Sequence, residues 1–333
     1  MTTRADTDWF RDAGWGAFMH YLARGASAPG PAEITTNEWN RRIDAFDAAG
    51  LADQLQQIGA AYFFLTIGQN SGFYLSPNET YDSLVGRSPS RCSRRDLVAD
   101  MIGALAGSGI RLMVYLPSHA PAHDRRAVEA LKCTPRWDAS AWQLRPGTYL
   151  REGDVDDRLS EFQRNWEAVI REWSLRWGAG VAGWWFDGCY HADRMYRCAE
   201  EPNFRSFAAA AKAGNPDSLV AFNPGVKVPI LSLTEHEDYT AGEIANALPV
   251  QSGSSWTPPL GRFVDGAQLH VLTFLGEYWG RGRPRLPDEL VVGYTKHVNA
   301  VEGVITWDVP PTPVGLIAEP LLRQLGVLRD ATR

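Results

Sequence analysis

The 333-residue sequence contains no run of about 18 apolar residues, so it offers no membrane-spanning helix and no membrane partner is expected. Its first residues, MTTRADTDWFRDAG, are polar and lack the apolar stretch of a secretory leader, so the chain is expected to work in the cytoplasm. Cysteine is scarce. Cys92, Cys133, Cys189 and Cys198 are the only four, and none stands in a C-x-x-C pair, which argues against a zinc or redox motif. Positive charge is not in excess: 33 Lys and Arg face 39 Asp and Glu, for a net charge of −6. A nucleic-acid partner calls for clustered cations. The basic pairs Arg94-Arg95 and Arg125-Arg126 are short and fall where helices should begin. No G-x-G-x-x-G or G-x-x-x-x-G-K-[ST] follows the first apolar run, which removes the nucleotide-binding folds. Ser118 lacks the G-x-S-x-G surroundings of a nucleophile elbow. There is no solenoid-period repeat and no low-complexity linker.

Tryptophan, by contrast, is abundant at 13 residues. Aromatic rings fill cores, but they also line ligand pockets and lie against the apolar faces of sugars. Eight short apolar runs alternate with longer helical patterns. The runs are 15–22 (WGAFMHYL), 61–67 (AYFFLTI), 111–117 (RLMVYLP), 181–188 (VAGWWFDG), 219–225 (LVAFNPG), 238–243 (DYTAGE), 268–276 (QLHVLTFLG) and 303–310 (GVITWDVP). Near-continuous apolarity marks strands buried on both faces, as in a parallel sheet. Helical spacing appears over 47–58, 93–108, 158–177, 193–213, 287–300 and 314–328, while 226–237 shows no clear helix. Eight strands separated by helices predict an α/β fold, a (β/α)8 barrel of the TIM type, with residues 1–333 as one domain. The Gly-, Pro- and charge-rich stretches 23–37 and 133–157 read as loops around an active site.

In such a barrel the chemistry sits at the C-terminal ends of the strands. Those ends carry His20, Gln69 and Asn70, Tyr115 and His119, Asp187, Asn223, Glu243, then Glu277 with Tyr278 and Trp279, and Asp308. A ring of polar residues is costly to bury unless it faces a wet site. Asp187, in WWFDG, is the sharpest candidate, and Glu243 is its natural partner. Glycoside hydrolysis uses two carboxyl groups on either side of the bond, one of them kept protonated. Glu235, Glu237, Asp238 and Glu277 compete with Glu243 for that role. Asp308 reads equally as a catalytic group and as a hydrogen-bonding residue at the edge of the core. His119 and His123 have a metal-like spacing, but Pro121 between them spoils a helix, so contacts to sugar hydroxyls or plain solvated histidines are the better expectation and no metal is expected.

The order of several motifs resembles the α-L-fucosidases of glycoside hydrolase family 29. W-G-A-F-M-H (15–20), N-E-W-N (37–40) and FDA (46–48) are similar to that family's GIFIHWG, EWY and FDA. G-A-A-Y-F-F-L-T (59–66) and G-F-Y-L (72–75) are similar to its AKYAVLTAKHHDGF, and S-R-R-D-L-V (93–98) and V-Y-L (114–116) follow in order. WFDG (185–188) is similar to the segment that holds the family's nucleophile. The resemblance implies Asp187 as nucleophile, with His20, Glu38, Trp39, Tyr115 and Trp185 touching the sugar. It also implies double displacement with retention and no cofactor. The family's acid/base varies in position, so Glu243 transfers less directly.

Two departures matter. The family's histidine pair is Gln69-Asn70 here, so the sugar need not be fucose. No β-sandwich is expected after the last helix. The reading is a glycosidase acting on a terminal sugar, with Asp187 attacking and Glu243 as acid/base. Trp39, Tyr115, Trp185 and Trp279 shape the pocket, and His20, Glu38, Gln69, Asn70 and Asn223 read hydroxyls. Its partner is a carbohydrate, with self-association left open. Two alternatives remain: a non-hydrolytic elimination or isomerisation of a sugar on the same barrel, and a sugar-binding protein without turnover.

Overall fold

A computed structural model describes residues 4–26, 34–133, 158–189, 195–250 and 261–332. Of the expected loops at 23–37 and 133–157, residues 27–33 and 134–157 lie outside the described residues. Eight strands form one parallel sheet: β1 (Trp15–Met19), β2 (Tyr62–Thr66), β3 (Arg111–Pro117), β4 (Gly183–Asp187), β5 (Leu219–Phe222), β6 (Glu243–Ala245), β7 (His270–Phe274) and β8 (Val304–Asp308). Their spatial order is β5-β4-β3-β2-β1-β8-β7-β6, so each neighbour but the β1–β8 pair follows the chain. A two-residue hairpin, Phe263–Val264 against Ala267–Gln268, precedes β7.

Side-chain alternation divides the sheet into two cores. Ala17, Phe63, Leu65, Val114, Trp184, Phe186, Val220 and Ile305 face outward, beneath the helices. Phe18, Tyr62, Phe64, Tyr115, Trp185, Ala221, Leu272 and Val304 face inward. Extending the inward parity to the strand ends reaches His20, Tyr115, Asp187, Asn223, Glu243 and Asp308. The period of two thus puts six polar residues on one side of the sheet. The opposite end of the interior is filled by Phe10 of the short helix Asp8–Ala13. Its ring lies 4.9 Å from Tyr62, 5.1 Å from Tyr239 and 5.5 Å from His270.

The edge strand β5 is bonded, without a ladder, to the segment at Glu237 and Asp238 that leads into the other edge strand, β6. Asp238 N donates to Val220 O (2.8 Å). Two carboxylates stand in for strand carbonyls: Val220 N donates to Asp238 Oδ2 (2.8 Å) and Phe222 N to Glu237 Oε2 (3.2 Å). Lys212 Nζ pairs with the same Asp238 oxygen at 2.7 Å. Trp185 Nε1 donates to Ala241 O (3.0 Å) and Tyr239 Oη to Trp184 O (2.9 Å), so the curled sheet brings β4 and β5 against the segment that leads into β6. The sixth strand, expected over 238–243, is regular only at Glu243–Ala245, with Tyr239 in an isolated parallel bridge to Gln268. Gly242 explains the break: its φ is +67°, and a Cβ there would stand 1.9 Å from His270 O.

The helices at Ala48–Ile58, Ser160–Trp177, Asp288–Asn299 and Glu319–Thr332 lie close to their expected positions. Asp47 caps the first of these through Gly50 N. The helix expected from Ser93 begins instead at Leu97, capped by Asp96. That expected over 193–213 is regular at Phe204–Ala211. Four short helices (Asp8–Ala13, Thr36–Asp44, Glu79–Val85 and Arg125–Ala130) span too few turns to show a periodicity. Among the described residues no helix is long and apolar enough to cross a membrane.

Glu237 is fully buried at the seam. Burial pushes its carboxyl up to about 8, although the N–H groups of Phe222 and Leu233 pull the other way. A proton held in the folded chain and lost from the unfolded one stabilises fully below an ordinary Glu pKa of about 4.3; that stabilisation is lost as the pH rises through about 8. Unfolding free energy from urea titrations should therefore fall from pH 5 to pH 8 more steeply in the wild type than in Glu237→Gln. Parallel slopes would show that Glu237 is not the titrating group.

Candidate active site

Asp187 ends β4, with Trp185 two residues before it on the same inward face. Its carboxylate takes three donors: Tyr115 Oη on Oδ2 (2.7 Å), and Asn223 Nδ2 and Gly188 N on Oδ1 (2.8 Å each). The side chain is therefore fixed from three elements. Gly188 has φ +77°, and a Cβ there would meet the His119 ring at 2.6 Å, so only glycine lets the chain turn away from the strand so tightly. The Tyr115 ring stacks on Trp185 at 5.4 Å and 19°, closing the apolar floor beneath the acid.

Asn223 follows β5, and its Nδ2 also donates to Glu243 Oε2 (2.6 Å). One amide nitrogen thus bridges both carboxylates. Two hydrogen bonds leaving one sp² nitrogen hold their acceptor oxygens about 5 Å apart. Asn223 Oδ1 accepts from Gly225 N (3.0 Å), which orients the amide with its NH2 toward the acids. Glu243 is half-buried. Desolvation first, and then the charge of Asp187, push it up to about 7, while the Asn223 bond pulls it down.

A second group flanks this pair. His20 Nδ1 lies 2.7 Å from Asp308 Oδ1, and Gly280 N donates to Asp308 Oδ2 (2.6 Å). The His20 ring is 5.6 Å from Tyr115 and 5.8 Å from Trp279. Of the two readings of Asp308, this packing favours a residue that holds others in place. Gln69 Nε2 donates to Tyr115 Oη (2.8 Å). Asn70 Oδ1 is sealed and bonds no described residue, while its carbonyl accepts from His123 N. His119 is buried beside Gly188, its Nδ1 donating to Ala120 O (2.7 Å).

Other expected residues take structural roles. Glu38 is an exposed member of a capping box, accepting from Thr35 N (2.8 Å) at the start of the helix Thr36–Asp44. Trp39 is fully buried in the outer core between Tyr21 and Phe73, with Nε1 donating to Tyr74 O (2.9 Å). In this structure Glu38 therefore caps a helix and Trp39 packs in the outer core, and neither bonds Asp187 or Glu243. Among the rivals of Glu243, Glu237 and Asp238 are consumed by the seam. Glu235 lies 3.8 Å from His236 and is largely exposed, and Glu277 is exposed. Sequence reasoning missed the backbone donors Gly188 and Gly280. Their signal, a glycine directly after a strand-end Asp or aromatic residue, was present.

No family model matches the chain, and no curated protein does either. Solved structures do match. Two endo-fucoidan hydrolases of glycoside hydrolase family 107 align over 97% of this chain at 19% and 20% identity, each with a TM-score of 0.68. This chain spans only 53% and 63% of their lengths. The α-L-fucosidase AlfC from Lactobacillus casei, in complex with its α-L-fucose product, aligns over 97% of this chain and 96% of its own at 16% identity, with a TM-score of 0.61. At such identities the likeness establishes the fold. It is a fold that fucoidan hydrolases and α-L-fucosidases share.

The charge of Asp187 should be felt in the titration of Glu243. Replacing Asp187 by Asn removes the charge that raises Glu243, so the Glu243 titration should move to lower pH. Asn223→Ala removes the bond that lowers it and should move the titration to higher pH. Carboxyl ¹³C shifts followed against pH measure both. An unmoved Glu243 in Asp187→Asn would mean that the acids do not sense each other.

Proposed function

We propose that residues 1–333 act as one (β/α)8 glycoside hydrolase domain of the retaining kind, removing an α-L-fucoside or a closely related sugar. The observation that carries this reading is the single amide of Asn223 bonded to both Asp187 and Glu243. With one oxygen of each acid on the same nitrogen the two carboxyl groups are close neighbours, which suits retention, in which one carboxyl attacks and the other serves as acid and then base; inversion leaves room for a water and needs a wider gap. The likeness of the fold to α-L-fucosidases supports the choice of substrate class.

The environments assign the roles. Asp187, with three donors and no acid bonded to it, attacks the anomeric carbon and becomes esterified to the sugar. Glu243 is raised to about 7 and holds the proton that the leaving oxygen takes up as its bond to the sugar breaks. Loss of that leaving group frees Glu243 to take a proton from water, which displaces Asp187 and restores both acids. All the groups come from the chain, and no cofactor enters.

Aryl glycosides, α-L-fucoside among them, test the reading directly. Wild type should release the aryl alcohol and Asp187→Ala should not. Glu243→Gln should lose about 10²–10⁴ in rate on substrates with poor leaving groups. Because Glu243 must be protonated for the first step, kcat/KM should fall as the pH rises through about 7. Silence from wild type on every glycoside, with sugars still bound, would move the reading to a binding protein or to a non-hydrolytic reaction.

A further inference from the structure

We propose that Asp308 is a positioning residue that fixes the proton of His20 on Nδ1. His20 then offers a bare lone pair to the site and reads a free hydroxyl on the sugar. The specificity half of this proposal rests on the glycosidase reading; the tautomer half does not.

Asp308 is the last residue of β8 and is fully buried, yet both its oxygens are engaged. Gly280 N–H can only donate, so Oδ2 is an acceptor there (2.6 Å). Oδ1 faces His20 Nδ1 at 2.7 Å, and a carboxylate in that position takes the Nδ1–H. A neutral ring so held has its lone pair at Nε2. That atom bonds no described residue and is not among the sealed polar atoms, while the ring lies 5.6 Å from Tyr115, the donor to Asp187. The same carboxylate anchors the turn that carries Trp279, whose ring stands 5.8 Å from His20. Gly280, at φ +64°, packs so closely that a Cβ would meet His20 Cβ at 2.7 Å. One buried group therefore sets both the histidine and the aromatic wall beside it. A lone pair accepts from a hydroxyl but repels an ether oxygen, a fluorine or a sulfate ester, none of which can donate. The sugar position facing His20 should therefore carry an unsubstituted hydroxyl.

The first test is ¹⁵N NMR of histidine-labelled wild type at about pH 8, where an ordinary imidazole is neutral. The His20 signals are assigned by their loss in His20→Gln. Protonated Nδ1 with bare Nε2 is expected, and a wild-type ring protonated at Nε2 overturns the proposal without any variant at Asp308. Asp308→Asn keeps its oxygen on Gly280 N–H and turns its NH2 toward Nδ1, so the proton should move to Nε2. The kinetic test compares an accepted aryl glycoside with its mono-O-methyl derivatives. Wild type should reject one derivative by tenfold or more. Asp308→Asn should narrow that discrimination at least tenfold, with its loss of kcat/KM mostly in KM. Discrimination left intact in a variant whose tautomer has flipped would overturn the specificity half. If wild type cleaves no glycoside, the functional reading fails while the NMR result still decides the tautomer.

Discussion

Two carboxyl groups that share one amide nitrogen lie close enough to repel each other, and the Asn223 amide makes their closeness tolerable. A lysine or arginine between them would attract both protons' worth of negative charge and hold both acids ionised. A histidine would itself titrate. A neutral amide gives each acid one N–H and adds no charge, so the field of Asp187 still reaches Glu243 and raises it. The difference between the acids then comes from their other partners. Asp187 has two further donors, whereas Asn223 is the only donor found on Glu243 among the described residues.

The amide can serve this way only if its backbone is fixed, and here the seam of the sheet enters. Asn223 N donates to Phe186 O, and its carbonyl accepts from Cys189 N, which locks it to β4. On the other side Phe222 N is held by Glu237, and Val220 N by Asp238. β5 is only four residues long and has no ladder on that side. Side-chain carboxylates supply the bonds that a regular neighbour would have given. The consequence is a fully buried Glu237 raised to about 8, so the order of the site depends on an acid that is itself costly to ionise.

Seven of the eight strands were legible because both faces of a parallel sheet are buried, which writes long apolar runs into the sequence; the sixth overlaps its expected run only at Glu243. The residues at their ends were legible for the complementary reason: Asp187, Asn223, Glu243 and His20 are polar where such a strand has no use for polarity. The short helices Asp8–Ala13, Thr36–Asp44 and Glu79–Val85 were not, since they complete too few turns to show a periodicity. The bonds of Glu38 and Trp39 were less legible, because a motif fixes sequence position and not the direction of a side chain. Thr35 three residues before Glu38 is a capping-box spacing, and it was the better guide. The seam was hidden as well. Nothing local distinguishes Glu237 and Asp238 from candidate catalytic acids until the long-range partners Val220, Phe222 and Lys212 are in view.

Gln69 stands where the resembling family has the first histidine of its pair, and its bonding gives that difference a physical meaning. Its amide donates to Tyr115 Oη, which in turn donates to Asp187. The tyrosine oxygen is therefore committed on both sides to the protein, and Gln69 supports the carboxylate through it. An amide donor does not titrate, so this support is the same at every pH at which the fold persists. A histidine in its place would add a third ionisable group beside Glu243 and His20. With glutamine, this position adds no ionisable group beside Asp187 and gives a fixed brace beneath its carboxylate.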